Sequence, residues 1–323
     1  MIGSPAFASL ADLASARVGG RAIATNDDFF APKSNLVKPE PAIFIPGKFT
    51  ARGKWMDGWE SRRRRTPGHD WCVVQLGMRG VIRGVNVDTS HFTGNYPSHC
   101  SIEAMDAREP WGELLRQSPL RGNGDNFFDI HDERAWTHVR LNIFPDGGVA
   151  RLRVYGDVHV DWTKAARTSG VVDLASIKNG GLVIGASDMH FGAKDNMIMP
   201  GRAKNMGDGW ETRRRRGPGY DWAIVRLGAR GIISKIEIDT NHFKGNYPES
   251  ASVEGCWFTG GMGLGPAEDH WMEILPRSKL GPNRRHMFAK ELLNVGAVTH
   301  VRLNIYPDGG VSRFRVYGTV AAD

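Results

Sequence analysis

The sequence has no long apolar run and few cysteines. Nowhere do about 18 consecutive residues read as apolar, which excludes a membrane-spanning helix. The first residues carry neither a basic segment nor an apolar core, so no secretory signal is predicted. The three cysteines, Cys72, Cys100 and Cys256, lack Cys-x-x-Cys spacing. An odd number without paired spacing is typical of reduced thiols, and we expect a cytoplasmic protein that does not act at a membrane.

Motifs that identify a known chemistry are also missing. The sequence contains no Gly-x-Ser-x-Gly, phosphate-binding loop, dinucleotide fingerprint or zinc-finger spacing. No pattern as diagnostic as His-Glu-x-x-His identifies metal ligands. The residues therefore predict no certain cofactor, leave a divalent metal ion as an open alternative and name no metal ligands.

Glycine, proline and positive charge are plentiful instead. The chain of 323 residues contains 40 glycines and 17 prolines, which suits a fold with many tight turns. Its formal net charge is +7 and its pI is about 9.4. Such a balance fits nucleic acid, a membrane surface or a small anionic ligand, and it does not choose between them.

The strongest internal signal is a duplication. The segment Asp57–Trp71 returns as Asp208–Trp222 at an offset of 151 residues, and Thr137–Val149 returns as Thr299–Val311 at an offset of 162. The first copy has about ten extra residues within 39–52, and the second has about eleven near 259–266. A period this long predicts duplicated domains rather than a solenoid. We place them at residues 1–162 and 163–323.

Apolar residues alternate with polar ones inside each copy. The segments Val85–Asp88, His138–Ile143, Arg151–Tyr155 and Ile236–Asp239 follow a period of two, which predicts half-buried antiparallel strands. Helical patterning is confined to short candidates at Phe7–Ala16 and Phe288–Asn294. The pattern favours an all-β protein of two sandwiches.

Each copy carries a run of four arginines, Arg62–Arg65 and Arg213–Arg216. Acidic residues flank both runs, at positions that include Asp57 and Glu60 in the first copy and Asp208 and Glu211 in the second. This mixture fits an internal ion-pair network or a small-anion site better than a stripe that follows phosphates. We expect no nucleic-acid partner.

A histidine follows a strand end in each copy, His91 and His242, inside a Gly-Asn-Tyr-Pro context. Such a histidine is either a hydrogen-bonded packing residue or an acid/base group. Recurrence does not decide between them, because duplication preserves structure as well as function.

The dipeptide Asp146-Gly147 is a two-residue hairpin signal. A hairpin here places these outward-facing pairs opposite one another: His138–Tyr155, Arg140–Arg153, Asn142–Arg151, and in the second copy His300–Tyr317, Arg302–Arg315, Asn304–Arg313. Opposed arginines destabilise a sheet unless an anion lies between them. That anion is either Glu60 or Asp57, or the carboxylate of a substrate.

Several longer segments are shared with a known family: Asp27–Pro32, Gly53–Glu60, Pro67–Trp71, Gly80–Val85 and His91–Tyr96. Together with Asp208–Trp222 and His300–Gly310, they resemble allantoicase from about Leu10 to Val320. The resemblance implies two tandem jelly-roll β-sandwiches of the galactose-binding type. It also implies a homo-oligomeric hydrolase that acts on carbon-nitrogen bonds in linear amidines, converting allantoate and water to (S)-ureidoglycolate and urea. Metal dependence varies within the family, so the resemblance does not supply a metal.

Allantoate carries one carboxylate and two ureido groups on one carbon, and its cleavage requires an acid and a base. The acid/base candidates are Asp57, Glu60, His91, His138, Asp208, Glu211, His242 and His300. The candidates for binding substrate are Arg63, Arg64, Arg140, Asn142, Arg153, Arg214, Arg215, Arg302, Asn304 and Arg315. The alternative class is a sugar or anion lectin, since jelly rolls often bind without catalysis. The repeated segments rich in Arg, Asp, Glu and His favour catalysis on a small charged molecule over binding alone.

Overall fold

Two strands of 19 residues organise the fold, one in each copy of the duplicated sequence. The computed structural model describes residues 4–107, 109–163, 170–259 and 270–321. The chain divides into two compact units, Met1–His159 and Val160–Asp323. The predicted boundary between residues 162 and 163 stays a prediction. Among the described residues, no helix is long and apolar enough to cross a membrane.

The described part of the first unit contains twelve strands and three 3₁₀ helices. The strands are β1 (Ala11–Asp12), β2 (Arg21–Thr25), β3 (Phe49–Thr50), β4 (Gly53–Lys54), β5 (Trp59–Glu60), β6 (Asp70–Asp88), β7 (His99–Asp106), β8 (Glu109–Pro119), β9 (Phe127–Asp129), β10 (Ala135–Phe144), β11 (Gly148–Val149) and β12 (Arg151–Val158). The 3₁₀ helices are Ala6–Ser9, Ala16–Val18 and Lys33–Val37.

The described part of the second unit repeats this order without a counterpart of β3 and β4. Its strands are β13 (Val172–Asp173), β14 (Leu182–Ala186), β15 (Trp210–Glu211), β16 (Asp221–Asp239), β17 (Ser250–Cys256), β18 (Met272–Lys279), β19 (Arg285–Phe288), β20 (Ala297–Tyr306), β21 (Gly310–Val311) and β22 (Arg313–Val320). Its 3₁₀ helices are Ile177–Asn179, Lys194–Ile198 and Met206–Asp208.

The long strand β6 belongs to both layers of the first sandwich. Its first half pairs with β2 and β10, and β10 continues to β7 and β8. Its second half pairs with β12 and β9, and β12 continues to β1. In the second unit β16 joins the layers β14–β16–β20–β17–β18 and β13–β22–β16–β19 in the same way. This confirms the predicted all-β fold of two tandem jelly-roll sandwiches.

The alternating apolar residues form the core. Val139, Leu141 and Ile143 on β10 are fully buried, and Leu141 lies between Cys72 of β6 and Ile102 of β7. Burial of such side chains contributes about 1.5–3 kcal/mol each. The three cysteines are buried and free, as predicted.

The predicted hairpin at Asp146-Gly147 is wrong. Strand β6 lies between β10 and β12, so those two strands do not pair. The chain instead crosses from one layer to the other at this turn. Glycine is required at both positions because other groups lie close to the backbone. A Cβ on Gly147 would lie 2.6 Å from the Asn95 carbonyl oxygen, and one on Gly148 would overlap the Phe92 ring.

Both helix candidates are also wrong. Phe7–Ala16 contains a 3₁₀ turn followed by strand β1, and Phe288–Asn294 begins at the last residue of β19 and continues as a turn. The extra residues of the first copy include β3, which pairs with β4 just after them. The extra segment of the second copy, near 259–266, falls mostly outside the described residues.

Candidate active site

A polar cleft opens at one end of the first sandwich, where strand β5, the arginine run, the Gly-Asn-Tyr-Pro loop and the 145–147 turn meet. Its volume is about 490 Å³. The charged and amide side chains that line it are Glu60, Arg63, Arg64, Asn95 and Asp146. Ser61, Ser98 and the aromatic rings of Phe30 and Tyr96 complete the wall.

Backbone pairing places Glu60 at this cleft. Trp59 and Glu60 pair with Val149 and Gly148 of β11. The Trp59 ring is fully buried, and its Nε1 donates to the Asp27 carbonyl oxygen at 2.8 Å. Because consecutive side chains of a strand point to opposite sides, burial of Trp59 turns Glu60 toward the cleft.

Glu60 is half-buried and bonded to an amide. The Asn95 Nδ2 donates to its Oε1 at 2.6 Å. Burial raises the pKa of Glu60, and it outweighs the opposing effects of the Asn95 bond and the nearby Lys54 charge. In the described parts of the chain no arginine lies within ion-pair distance of this carboxyl group. Glu60 therefore keeps a proton to higher pH than an exposed glutamate does.

The arginine run forms a loop rather than an extended strand. Arg62 pairs with Asp27 at 2.7 Å, and Arg64 pairs with Asp70 at 2.9 Å. The backbone N–H of Arg64 also donates to Asp146 at 2.8 Å. Arg63 is exposed, lines the cleft and has no ion pair within the described ranges. The run thus combines an ion-pair network with a guanidinium that is available to a ligand.

The second unit repeats the cleft with a volume of about 710 Å³. Its matching side chains are Glu211, Arg214, Arg215, Asn246 and Asp308, and Asn246 donates to Glu211. The rim differs, because Glu249 and Lys279 line this cleft where the first copy has Ser98 and Pro119.

The two loop histidines are tied to backbone. The Nε2 of His91 lies 3.1 Å from the Ala42 carbonyl oxygen, and that of His242 lies 2.9 Å from the Ala203 carbonyl oxygen. A carbonyl oxygen only accepts, so each Nε2 carries a proton, and in the neutral ring Nδ1 is the nitrogen that has the lone pair. His91 lines a smaller lobe that also borders Glu60.

The remaining candidates on β10 lie away from the cleft residues. Arg140 pairs with Glu103 of β7, Asn142 donates to the same carboxylate at 2.9 Å, and the Trp111 ring lies 5.1 Å from the guanidinium. His138 is six residues from the cleft end of β10, on the order of 20 Å along the strand. Burial lowers its pKa.

The second copy repeats this cluster more deeply buried. Arg302 pairs with Glu254 at 2.8 Å, and Asn304 donates to Glu254 at 2.7 Å. The Trp271 ring lies 4.9 Å from the guanidinium. Burial lowers the pKa of His300 to about 4, which leaves this imidazole neutral at physiological pH.

The anion predicted between the opposed arginines is therefore neither Glu60 nor Asp57. Arg140 takes Glu103, a residue the sequence did not single out, because β7 rather than β12 is its neighbour. Arg153 pairs with Asp12 at 3.4 Å and also donates to the carbonyl oxygens of Lys38 and Pro39. Arg315 likewise pairs with Asp173 at 3.6 Å and donates to the carbonyl oxygens of Met199 and Gly201.

Asp57 belongs to a buried ion pair instead of the cleft lining. Arg151 approaches it at 2.6 Å, and Lys38 and the Ile43 N–H also donate to it. Burial raises its pKa, but these hydrogen bonds outweigh burial and hold the pKa below its ordinary value. Asp208 and Arg313 form the same pair at 3.0 Å. The sequence did not identify the two partner arginines or Asn95 and Asn246; only the repetition of their segments marked them.

Fold and clefts define a class: a duplicated β-sandwich protein with one small polar cleft in each repeat. The model of the allantoicase repeat matches residues 11–159 and 172–321. The chain belongs to the allantoicase family, which confirms the resemblance seen in its motifs.

Individual relatives agree over nearly the whole chain. It is 52% identical to a probable allantoicase 1 of Burkholderia mallei, covering 96% of this chain and 94% of the relative. It is 49% identical to a probable allantoicase of Ralstonia nicotianae with the same coverage. The crystal structure of Saccharomyces cerevisiae allantoicase matches with a TM-score of 0.80 and 34% identity, covering 95% of this chain and 92% of that one.

We expect Asp57→Asn to destabilise the protein. Removing one partner leaves the Arg151 charge buried without its counterion, which costs about 3–5 kcal/mol. Because the pKa of Asp57 is lowered on folding, its stabilisation is present at neutral pH and is lost as pH falls through the folded value. Urea unfolding at pH 7 measures the loss. Asp28→Asn, which breaks the half-exposed pair with Lys33, should cost less than about 1 kcal/mol.

Arg140→Ala tests the corrected position of that arginine. We expect a melting temperature lowered by a few degrees, because Glu103 and the Trp111 face lose their partner. The KM for the substrate should stay within about twofold, since another carboxylate already occupies the guanidinium. A KM raised about tenfold with an unchanged melting temperature would restore the substrate-binding role.

Proposed function

We propose that this protein hydrolyses allantoate to (S)-ureidoglycolate and urea in purine degradation, and that it does so at the clefts around Glu60 and Glu211. The observation that carries this is a glutamate–asparagine–arginine cleft that recurs in both repeats of an allantoicase-family chain. Both clefts are open to solvent and small, which suits a small charged metabolite.

Arg63 and Arg214 are the proposed ligands of the substrate carboxylate. Each guanidinium is exposed and lines its cleft, while Arg64 and Arg215 are held by Asp70 and Asp221. A planar guanidinium matches the two oxygens of a carboxylate and forms charge-assisted hydrogen bonds. Arg64 and Arg215 then shape the cleft and add positive potential.

Glu60 is the proposed proton donor to the departing urea. Cleavage breaks the bond between the central carbon and one ureido nitrogen, and that nitrogen must gain a proton as it leaves. The raised pKa of Glu60 keeps this proton available closer to neutral pH. The resulting carboxylate can then accept a proton from the water that adds to the central carbon, which restores the acid. Direct attack by water and elimination followed by hydration both need these two transfers.

His91 and His242 are proposed to assist as bases. With Nε2 bonded to a backbone carbonyl, Nδ1 is an acceptor for a water proton. Of the two, only His91 lines a cleft lobe, and His242 is proposed by its matching contact. His138, His300, Asp57 and Asp208 lie outside the cleft linings, and their catalytic role stays a prediction without geometric support. The same holds for the substrate-binding role of Arg140, Asn142, Arg153, Arg302, Asn304 and Arg315.

A metal site does not follow from the side chains. Among the residues the structure describes, no three His, Cys, Asp or Glu side chains converge into a donor set. We derive no step through a metal, and the alternative of a divalent ion stays untested. Cytoplasmic location, homo-oligomeric assembly and the absence of a nucleic-acid partner also stay predictions.

The purified protein should release urea from allantoate together with an equal amount of ureidoglycolate. Allantoin should stay intact, because its ring has no free carboxylate for Arg63 or Arg214. Urea and glyoxylate-derived product are quantified across neutral pH, with and without chelator and added divalent metals. Urea release no faster than the uncatalysed rate under all these conditions would contradict the assignment.

With the second cleft silenced by Glu211→Gln, Glu60→Gln should lower the remaining kcat by at least about tenfold, the low end of a general acid/base contribution. The glutamine carbonyl oxygen can still accept from Asn95, but the side chain can no longer carry a charge. Because the folded pKa of Glu60 is raised, ionisation costs stability as pH rises through it, so the Gln variant should melt no lower than wild type at pH 8. The limb of the pH–kcat profile due to Glu60 should disappear.

Glu211→Gln is the matched variant for the second cleft, and the two changes together report how activity divides between repeats. With Glu211→Gln already in place, a lowered melting temperature and an unchanged kcat on adding Glu60→Gln would assign Glu60 a structural role only.

A further inference from the structure

A second lobe adjoins the first cleft on the other side of Glu60. Its volume is about 330 Å³, and it shares Glu60, Asn95 and Phe30 with the arginine-lined cleft. The residues particular to this lobe are Lys54, Met56, His91 and Thr93. Glu60 thus stands between an arginine lobe and a lobe with one lysine and apolar side chains, which we call the lysine lobe.

The extra segment of the first repeat contacts two of the residues that line the lysine lobe, Lys54 and His91. Lys54 ends the ribbon of β3 and β4, and its ammonium lies 4.6 Å from the centre of the Phe44 ring. Phe44 in turn stacks on His91 at 5.9 Å between ring centres. The Ile43 N–H donates to buried Asp57 at 3.1 Å. These contacts fix the segment against the sandwich and fix Lys54 at the rim.

Lys54 is an available cation. It is exposed, and within the described ranges no carboxylate lies within ion-pair distance. It nevertheless lies near enough to Glu60 to oppose the effect of burial on that carboxyl group. The second repeat is about ten residues shorter here and has Asn205 at the aligned position. The lysine is therefore peculiar to the first repeat.

We propose that the lysine lobe is a ureido subsite and that Lys54 is a substrate-binding residue that donates to the carbonyl oxygen of the departing ureido group. This rests on the proposed function. Allantoate has three polar arms on one carbon, so a carboxylate at Arg63 directs a ureido arm across Glu60. A neutral planar ureido group fits apolar walls at Phe30 and Met56 better than a second carboxylate does. An ammonium at its oxygen draws electrons from the breaking bond.

The test measures binding at the lobe itself, in full-length protein. Two probes are used: N-carbamoylglycine, which has one ureido group and one carboxylate, and acetate, which has the carboxylate alone. N-carbamoylglycine binding is followed by the resonance of the Met56 methyl group in protein labelled with methyl-¹³C methionine, assigned through Met56→Leu, and acetate binding is measured by its competition with N-carbamoylglycine for that signal. Met56 lines the lysine lobe, so this signal separates the first cleft from the second.

Lys54→Leu should weaken N-carbamoylglycine about fivefold or more, as expected for loss of a charge-assisted hydrogen bond at an exposed site. Its acetate affinity should not change, and Lys54→Arg should stay within about twofold of wild type for both probes. Lys48→Leu is the matched control, since Lys48 lies on the same segment over the Trp55 ring at 3.9 Å and does not line the lobe. Both leucine variants lose one cation–π contact and should melt alike.

Three results would overturn the subsite: equal losses for N-carbamoylglycine and acetate, no loss for either, or no Met56 shift in wild type. Urea release from allantoate by the wild type is measured separately. With the second cleft silenced by Glu211→Gln, urea release that is indifferent to Lys54 contradicts the subsite alone, whereas lysine-dependent binding without urea release contradicts the proposed reaction alone.

Discussion

The site depends on a guanidinium buried inside each sandwich. Arg151 is 1% exposed and donates to the carbonyl oxygens of Glu40, Pro41 and Asp57 as well as to the Asp57 carboxylate. A charge this deep is tolerated only when it is paired and its donors are satisfied. The arginine therefore fixes the chain on both sides of the extra segment relative to strand β12. Trp59 and Glu60 come shortly after Asp57 in the chain, so the buried ion pair helps to position Glu60.

Comparison of the two repeats separates the contacts that the fold requires from the cleft-rim residues that vary. Both repeats keep the buried arginine–aspartate pair, the tryptophan that anchors the short strand and the asparagine on the cleft glutamate. The rims differ, with Ser98 in one copy and Glu249 in the other. Loops at the ends of a sandwich carry few core contacts, so changes there cost little stability. One scaffold can thus hold two clefts of different charge.

Sequence periodicity predicts the strands but not their neighbours. Alternation along β10 and β12 reports which side chains are buried, and the structure agrees for Leu141 and Leu152. A turn signal at Asp146-Gly147 cannot tell whether the flanking strands pair or enter opposite layers, since that depends on β6, more than 50 residues away. The site prediction inherited this error: it grouped Arg140 with the cleft residues, while Glu60 and Arg63 were found from their repeated segment alone. The role of Asn95 could not be predicted from the sequence, because only the structure shows that it donates to Glu60.

The positions of the arginines and lysines show where the positive charge of the chain acts. Two of the four arginines in the first run neutralise Asp27 and Asp70, so the run does not form a continuous cationic stripe. Some cations without an ion pair in the described ranges line the clefts: Arg63 and Lys54 in one repeat, Arg214 and Lys279 in the other. In the first repeat the cations at the cleft and its lobe outnumber the carboxylates, and such a local excess of one sign concentrates small anions and raises their rate of encounter. The ion pairs that hold each arginine loop therefore leave one guanidinium, Arg63 or Arg214, available to a small anion at its cleft.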